Sequence, residues 1–153
     1  MTSDRCRGDA GQVGGIEALP FGLLIFVVGS LLIANAWAVV DAKFATDAAA
    51  RQAVRTFVEG TDEATARRDA VAAGLASIEA HGRDPERASV APVGSVSLSR
   101  CERATFEAEY EVPALSLPFI GGYGRAPFQV RSTHSELVDP FRSGLPGTAE
   151  ACP

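Results

Sequence analysis

Hydrophobic and polar positions change rhythm three times along this chain. Residues 18–40 hold no charged side chain, and Ser30 and Asn35 are their only polar ones. About 20 apolar helical residues cross a hydrocarbon core of roughly 30 Å, so this run predicts a membrane-spanning helix. Pro20 falls in the first turn, where the N–H it lacks has no intrahelical acceptor. Beyond the run the rhythm stays helical, but charge appears on one face. Lys43, Asp47, Arg51, Arg55 and Glu59 recur every four residues, while Ala42, Ala45, Ala49 and Ala53 mark a face small enough for close packing. Lys43 with Asp47, Asp47 with Arg51, and Arg55 with Glu59 are the expected opposite-charge neighbours. Together the two segments predict one helix from near Glu17 to Glu59, roughly 65 Å long, stopped at Gly60.

A second helix is expected after it, with Thr61 as N-cap and Asp62 and Glu63 in the first turn. Ala64, Val71, Leu75 and Ile78 would form its apolar face, Gly82 its end, and Asp84-Pro85 a turn. The rhythm then shortens to a period of two. Residues 94–100 alternate around Val96 and Leu98. In residues 104–112, Phe106, Ala108, Tyr110 and Val112 face one way and Glu107, Glu109 and Glu111 the other. Residues 128–134 set Phe128 and Val130 against Gln129 and Arg131. These read as three short strands, each with one buried face. Between the last two lies PALSLPFIGGYG, too apolar for an ordinary loop and too rich in proline and glycine for a regular strand. Leu115, Leu117, Phe119 and Ile120 cannot all be buried by so short a segment. It is a candidate contact loop for a partner subunit or the membrane surface, with folding back onto the sheet as the alternative.

Composition sharpens this outline. The chain has 153 residues and a net charge of −5, with no block of lysine or arginine, which argues against a nucleic-acid partner. Glu17 is the only ionisable side chain in residues 11–40. A carboxylate at the mouth of a membrane segment is costly and calls for a partner, yet positions 13, 14, 20 and 21 are Val, Gly, Pro and Phe. The other reading of Glu17 is a hydrated headgroup-level residue that favours the positive end of its helix. A cleaved signal peptide fits the same run, with Arg5 and Arg7 as its basic region, residues 19–33 as its core, and 34–36 or 36–38 as a small-x-small site. Glu17 weighs against it. Basic residues do not favour either orientation, since Arg5 and Arg7 precede the helix and Lys43, Arg51 and Arg55 follow it. The cysteines favour N-terminus inside: Cys101 and Cys152 would pair in an oxidising compartment and leave Cys6 on the reducing side, with three unrelated free thiols as the alternative. That disulfide would fix a tail with too little apolar content to dock by itself.

Other chemistry is weakly signalled. His81 and His134 have no ligand-spaced partners, so no metal site and no cofactor is expected. Ser132, His134 and Glu136 share a strand face without the strained turn and oxyanion hole a hydrolase requires, so no enzyme is expected. Glu107, Glu109 and Glu111 read as an exposed strand face before a cation site. Arg7-Gly8-Asp9 is an adhesion tripeptide short enough to arise by chance.

Several of these stretches, taken together, resemble one family. A basic N-terminus, a glycine-rich segment ending at Glu17, an immediate apolar helix with Leu19-Pro20, AAARQAVR at residues 48–55, alternating strands and a VP…LP…GG loop are similar to the TadE-like proteins. These are minor pilins, or pseudopilins, of the Tad (Flp) pilus in the type IV pilus superfamily. The resemblance implies an α+β, pilin-like fold: a long transmembrane helix extended beyond the membrane, a second helix, and a small antiparallel sheet of about three strands. It divides the chain into a cytoplasmic leader (1–17), a transmembrane helix (18–40) and an extracytoplasmic domain (41–153). It further implies cleavage by a prepilin peptidase between Gly11 and Gln12, and pairing of Glu17 with the N-terminal amine of a neighbouring subunit. The partners would be the membrane, other pilin subunits and the assembly platform. The family places its glutamate fifth in the mature chain, whereas a cut after Gly11 leaves Glu17 sixth. Either the spacing is relaxed or the chain keeps its leader as an anchor. Outside the family, the same residues fit a signal-anchored or secreted binding module of the cell envelope.

Overall fold

The computed structural model describes residues 18–113, 115–117, 121–123, 128–148 and 152. Gly11, Gln12, Glu17, Phe119 and Ile120 lie outside them. The first helix, α1, runs unbroken over Ala18–Val58. Its first half touches little: Leu19, Phe21, Leu23, Leu24, Ile25 and Phe26 are all at least 58% exposed. Asn35 satisfies its amide within the helix, donating from Nδ2 to the Leu31 carbonyl at 2.8 Å, as a polar side chain in an apolar run must. The second half is buried along the alanine face, with Ala42, Ala45, Ala49 and Ala53 wholly enclosed together with Thr46, Val54 and Phe57.

Helix α2, Glu63–Ala80, packs beside that half of α1. Asp62, and not Thr61, is its N-cap, with its carboxylate accepting from the Thr65 N–H at 2.9 Å. Both residue types cap helices, and the chain simply enters the helix one position later. Its buried face also differs from expectation. Ala66, Ala70, Gly74 and Ile78 are enclosed, Val71 and Leu75 are half-buried, and Ala64 is exposed. A Cβ on Gly74 would stand 2.9 and 3.0 Å from the Val90 methyls and 3.3 Å from the Ala49 carbonyl. Close approach of three elements thus selects the smallest residues for the contact. Gly82, at φ +70°, ends α2: its N–H donates to the Glu79 carbonyl and the Arg83 N–H to the Ile78 carbonyl.

After a 3-10 turn at Pro85–Arg87 come β1 (Ala88–Pro92), β2 (Arg103–Val112), β3 (Leu115–Leu117), β4 (Gly121–Tyr123) and β5 (Phe128–Leu137). A three-stranded antiparallel sheet has the order β1-β2-β5, with Ala88 opposite Tyr110 and Ala108 opposite Ser132. Its inner face lies against α1 and holds Phe106, Ala108, Tyr110, Val112 and Val130. At the centre, the Phe57 and Phe106 rings meet tilted, with centroids 5.5 Å apart.

Two strand expectations are corrected. Residues 94–100 bury Val96 and Leu98 but form no strand. Gly94, at φ +72°, turns the chain out of the sheet, and α2 takes the backbone groups: Arg67 donates to the Val96 carbonyl and Glu63 accepts from the Leu98 N–H. The third strand is instead β1, whose single large apolar residue, Val90, leaves little alternation to read. The proline-rich stretch does contain strands, since β3 pairs antiparallel with β4, Leu115 opposite Tyr123 and Leu117 opposite Gly121. Pro113 and Pro118 flank β3 and do not interrupt it, so the ladder needs no proline N–H. β3 runs beside α1.

Candidate functional site

The feature that sets this molecule apart is the junction where α1 leaves its exposed apolar run and enters the folded domain. Asp41 is the first charged residue after the run. Arg83, three residues beyond the end of α2, reaches it with Nε at 3.0 Å. The same guanidinium donates to the Ala38 carbonyl at 3.0 Å and lies 5.6 Å from the centre of the Tyr110 ring. The Arg83 side chain is 15% exposed, so its charge is largely withdrawn from water and matched by one carboxylate, one carbonyl and one aromatic face. This clamp ties α2, β2 and α1 together at the base of the domain. Sequence spacing could not find it, because Asp41 and Arg83 lie on different elements. The one available signal was Asp41's place as the first charge after 23 uncharged residues.

The far end of α1 is held by a second arginine. Arg142 donates to the Val58 and Glu59 carbonyls, which the helix end leaves without intrahelical donors. Arg100 in turn grips the Arg142 carbonyl with Nε and Nη2, at 3.1 and 3.0 Å, and the Gly147 carbonyl with Nη1 at 2.6 Å. Next to it the sulfurs of Cys101 and Cys152 stand 2.08 Å apart, a disulfide spanning 51 positions. Val138 and Leu145 bury themselves beneath this tail. Two arginines and two small apolar anchors therefore dock it along with the disulfide.

Between the two ends, Lys43 departs from its expected pairing with Asp47. It donates to the Ser132 hydroxyl at 2.8 Å and to the Arg131 carbonyl on β5. Thr46 Oγ1 lies 3.0 Å from Ser132 Oγ and donates to the Lys43 carbonyl at 3.0 Å. Lysine, serine and threonine form a closed ring of hydrogen bonds that pins β5 to α1. With Ser132 only 5% exposed, its hydroxyl serves that ring. Asp47 pairs with Arg51 at 2.8 Å, and Arg55 with Glu59 at 3.0 Å, as the spacing predicts. On the outer sheet face Arg131 pairs with Glu109 and stands 4.0 Å from Glu107, so a guanidinium lies among the glutamates. No group of three or more metal-ligating side chains occurs among the described residues.

Of the other sequence candidates, Leu115 and Leu117 lie on β3, the strand that runs beside α1. Compared with known proteins, the chain matches no family model, no curated protein and no solved structure.

Proposed function

We propose that this chain is a membrane-anchored structural subunit, a minor pilin or pseudopilin of a Tad-type pilus or a related secretion machine. In this reading its N-terminus is cytoplasmic and its domain extracytoplasmic. The observation that carries it is the division of one continuous helix: a first half apolar and exposed enough to cross a membrane, a second half forming the spine of a small α+β domain. Residues 18–40 extend about 34 Å as a helix, close to the thickness of a bilayer core. The cytoplasmic leader would be removed after Gly11. Glu17 would then meet the new amine of a neighbouring subunit and set the register at which helices enter a bundle. Secretion by cleavage near residues 36–38 fits less well. Such a cut would sever α1 next to the carbonyl that Arg83 holds and Ala38, which is buried.

Replacing Glu17 with Gln keeps the size and removes the charge. The expected result is unchanged membrane insertion with reduced co-purification of the other filament or platform subunits. Co-purification at the wild-type level would make Glu17 a headgroup residue and remove its assembly role.

A further inference from the structure

At the junction, the base of the domain overhangs α1 and leaves an open groove of about 890 Å³. One wall is α1 itself, including Ile33 and Trp37; the other is the end of α2 and the turn after it, including Arg83 and Arg87. We propose that this groove holds one phospholipid, its phosphate against Arg87 and an acyl chain along Ile33 and Trp37. The inference rests on the reading of residues 18–40 as a membrane span.

The two walls differ in the way an amphiphile differs along its length. Ile33 and Trp37 are 73% and 70% exposed and belong to the uncharged run, so a bilayer around that run places them at hydrocarbon and interface depth. The charged wall stands beside and above them, at headgroup depth. Within it the two arginines are not equivalent. Arg83 is committed to Asp41 and the Ala38 carbonyl. Among the described residues Arg87 has only a loose ion pair, its Nε 3.7 Å from Asp84, beyond hydrogen-bond reach, and its side chain is 35% exposed. It is the cation left to receive an anion, and a guanidinium fork suits phosphate oxygens. Asp41 and Asp84 balance the two arginines in formal charge, and His81 is the one other side chain of the lining whose type titrates near neutral pH. That balance matches a headgroup carrying both phosphate and ammonium better than one carrying only negative charge.

Trp37 is the only tryptophan of the chain, and it lines the groove, so it reports occupancy directly. The full-length protein in detergent micelles would be titrated with a phosphatidylethanolamine brominated in its acyl chains while Trp37 fluorescence is followed. The proposal expects saturable quenching at one lipid per chain. Arg87→Gln should weaken it on the order of tenfold, the scale of one charge-assisted hydrogen bond, and Arg87→Lys should recover part of the loss. Arg51→Gln, a change on the exposed stripe, should leave the titration as it was. Brominated phosphatidylglycerol should bind more weakly and brominated diacylglycerol should not saturate. Equal quenching by diacylglycerol, or an Arg87→Gln titration that matches wild type, would overturn the proposal. So would Trp37 emission that responds to protein concentration and not to lipid, which would put a second copy in the groove. Flotation of the same protein with vesicles tests the membrane span separately, since the micelle titration requires no bilayer.

Discussion

Single side chains decide how this domain is fastened at its two ends, and charge decides it more than size. Arg83 is mostly buried and has several partners, so Arg83→Met, which keeps the apolar stem, should lower unfolding free energy by about 2–3 kcal/mol because Asp41 and the Ala38 carbonyl lose their donor. Asp41→Asn keeps an acceptor, and the Asp41 side chain is 44% exposed, so it should cost less, about 1 kcal/mol. Denaturant unfolding of both variants measures the difference, and equal losses would contradict the assignment of Arg83 as the buried partner. At the start of α2, the Thr65 N–H holds the Asp62 carboxyl below the usual range. Its folded pKa is therefore the lower one. The stability it contributes is complete above the unfolded value, about 3.9, and disappears as pH falls through the folded value. Asp62→Asn should accordingly flatten the acid limb of a melting-temperature profile below about pH 4 and leave its slope near neutrality unchanged. An unchanged acid limb would mean that the cap does not titrate with folding. That a cap lay at this point was legible in Thr61-Asp62-Glu63. Which residue filled it was not, because both hydroxyl and carboxylate serve.

At the scale of elements, the helices were legible and their contact was not fully so. The alanine stripe of α1 followed from spacing alone, since polar residues elsewhere on the helix left it as the packing face. On α2 the reading was right at Ile78, but it chose Val71 and Leu75, each one position past the buried Ala70 and Gly74, for a physical reason. Periodicity is judged by large apolar residues, and Val71 and Leu75 drew it toward the edge of the contact, whereas the centre holds Ala66, Ala70 and Gly74. The strands show the same limit. β2 and β5 alternate clearly, but β1 has one large apolar residue, and the stronger alternation at Val96 and Leu98 belongs to a segment with no strand beside it. Two glycines test the close contacts. A Cβ on Gly60 would fall 2.2 Å from the Ala66 Cβ, which no rotamer change relieves, so Gly60→Ala should cost about 2–3 kcal/mol. Gly74→Ala meets methyl groups that can shift and gains about 1 kcal/mol of helix propensity, so its net cost should be the smaller of the two. Thermal unfolding that ranks them in the opposite order would contradict this account of the α1–α2 junction.

For the whole molecule, the sequence conveyed a helix long and apolar enough to cross a membrane, a domain and a tail, because apolar runs and alternation are local properties. It did not convey the arginines that join them, because Arg83, Arg100 and Arg142 act on backbone groups 42 or more positions away. The disulfide closes a loop of 51 positions, which should stabilise the domain by about 2–4 kcal/mol. Cys101→Ser with Cys152→Ser should lose that amount in denaturant unfolding. Since Arg100 and Arg142 also hold the tail, the domain should remain folded, and wholesale unfolding would show that the disulfide carries more than these contacts allow. The central claim is that α1 enters a membrane as a processed, pilin-type anchor, and the intact mass of the protein taken from native membranes tests it most directly. The account predicts a membrane-bound chain that begins at Gln12 and retains all of α1. A mass that begins at Met1, or a soluble chain that begins at Trp37 or Val39, would contradict it.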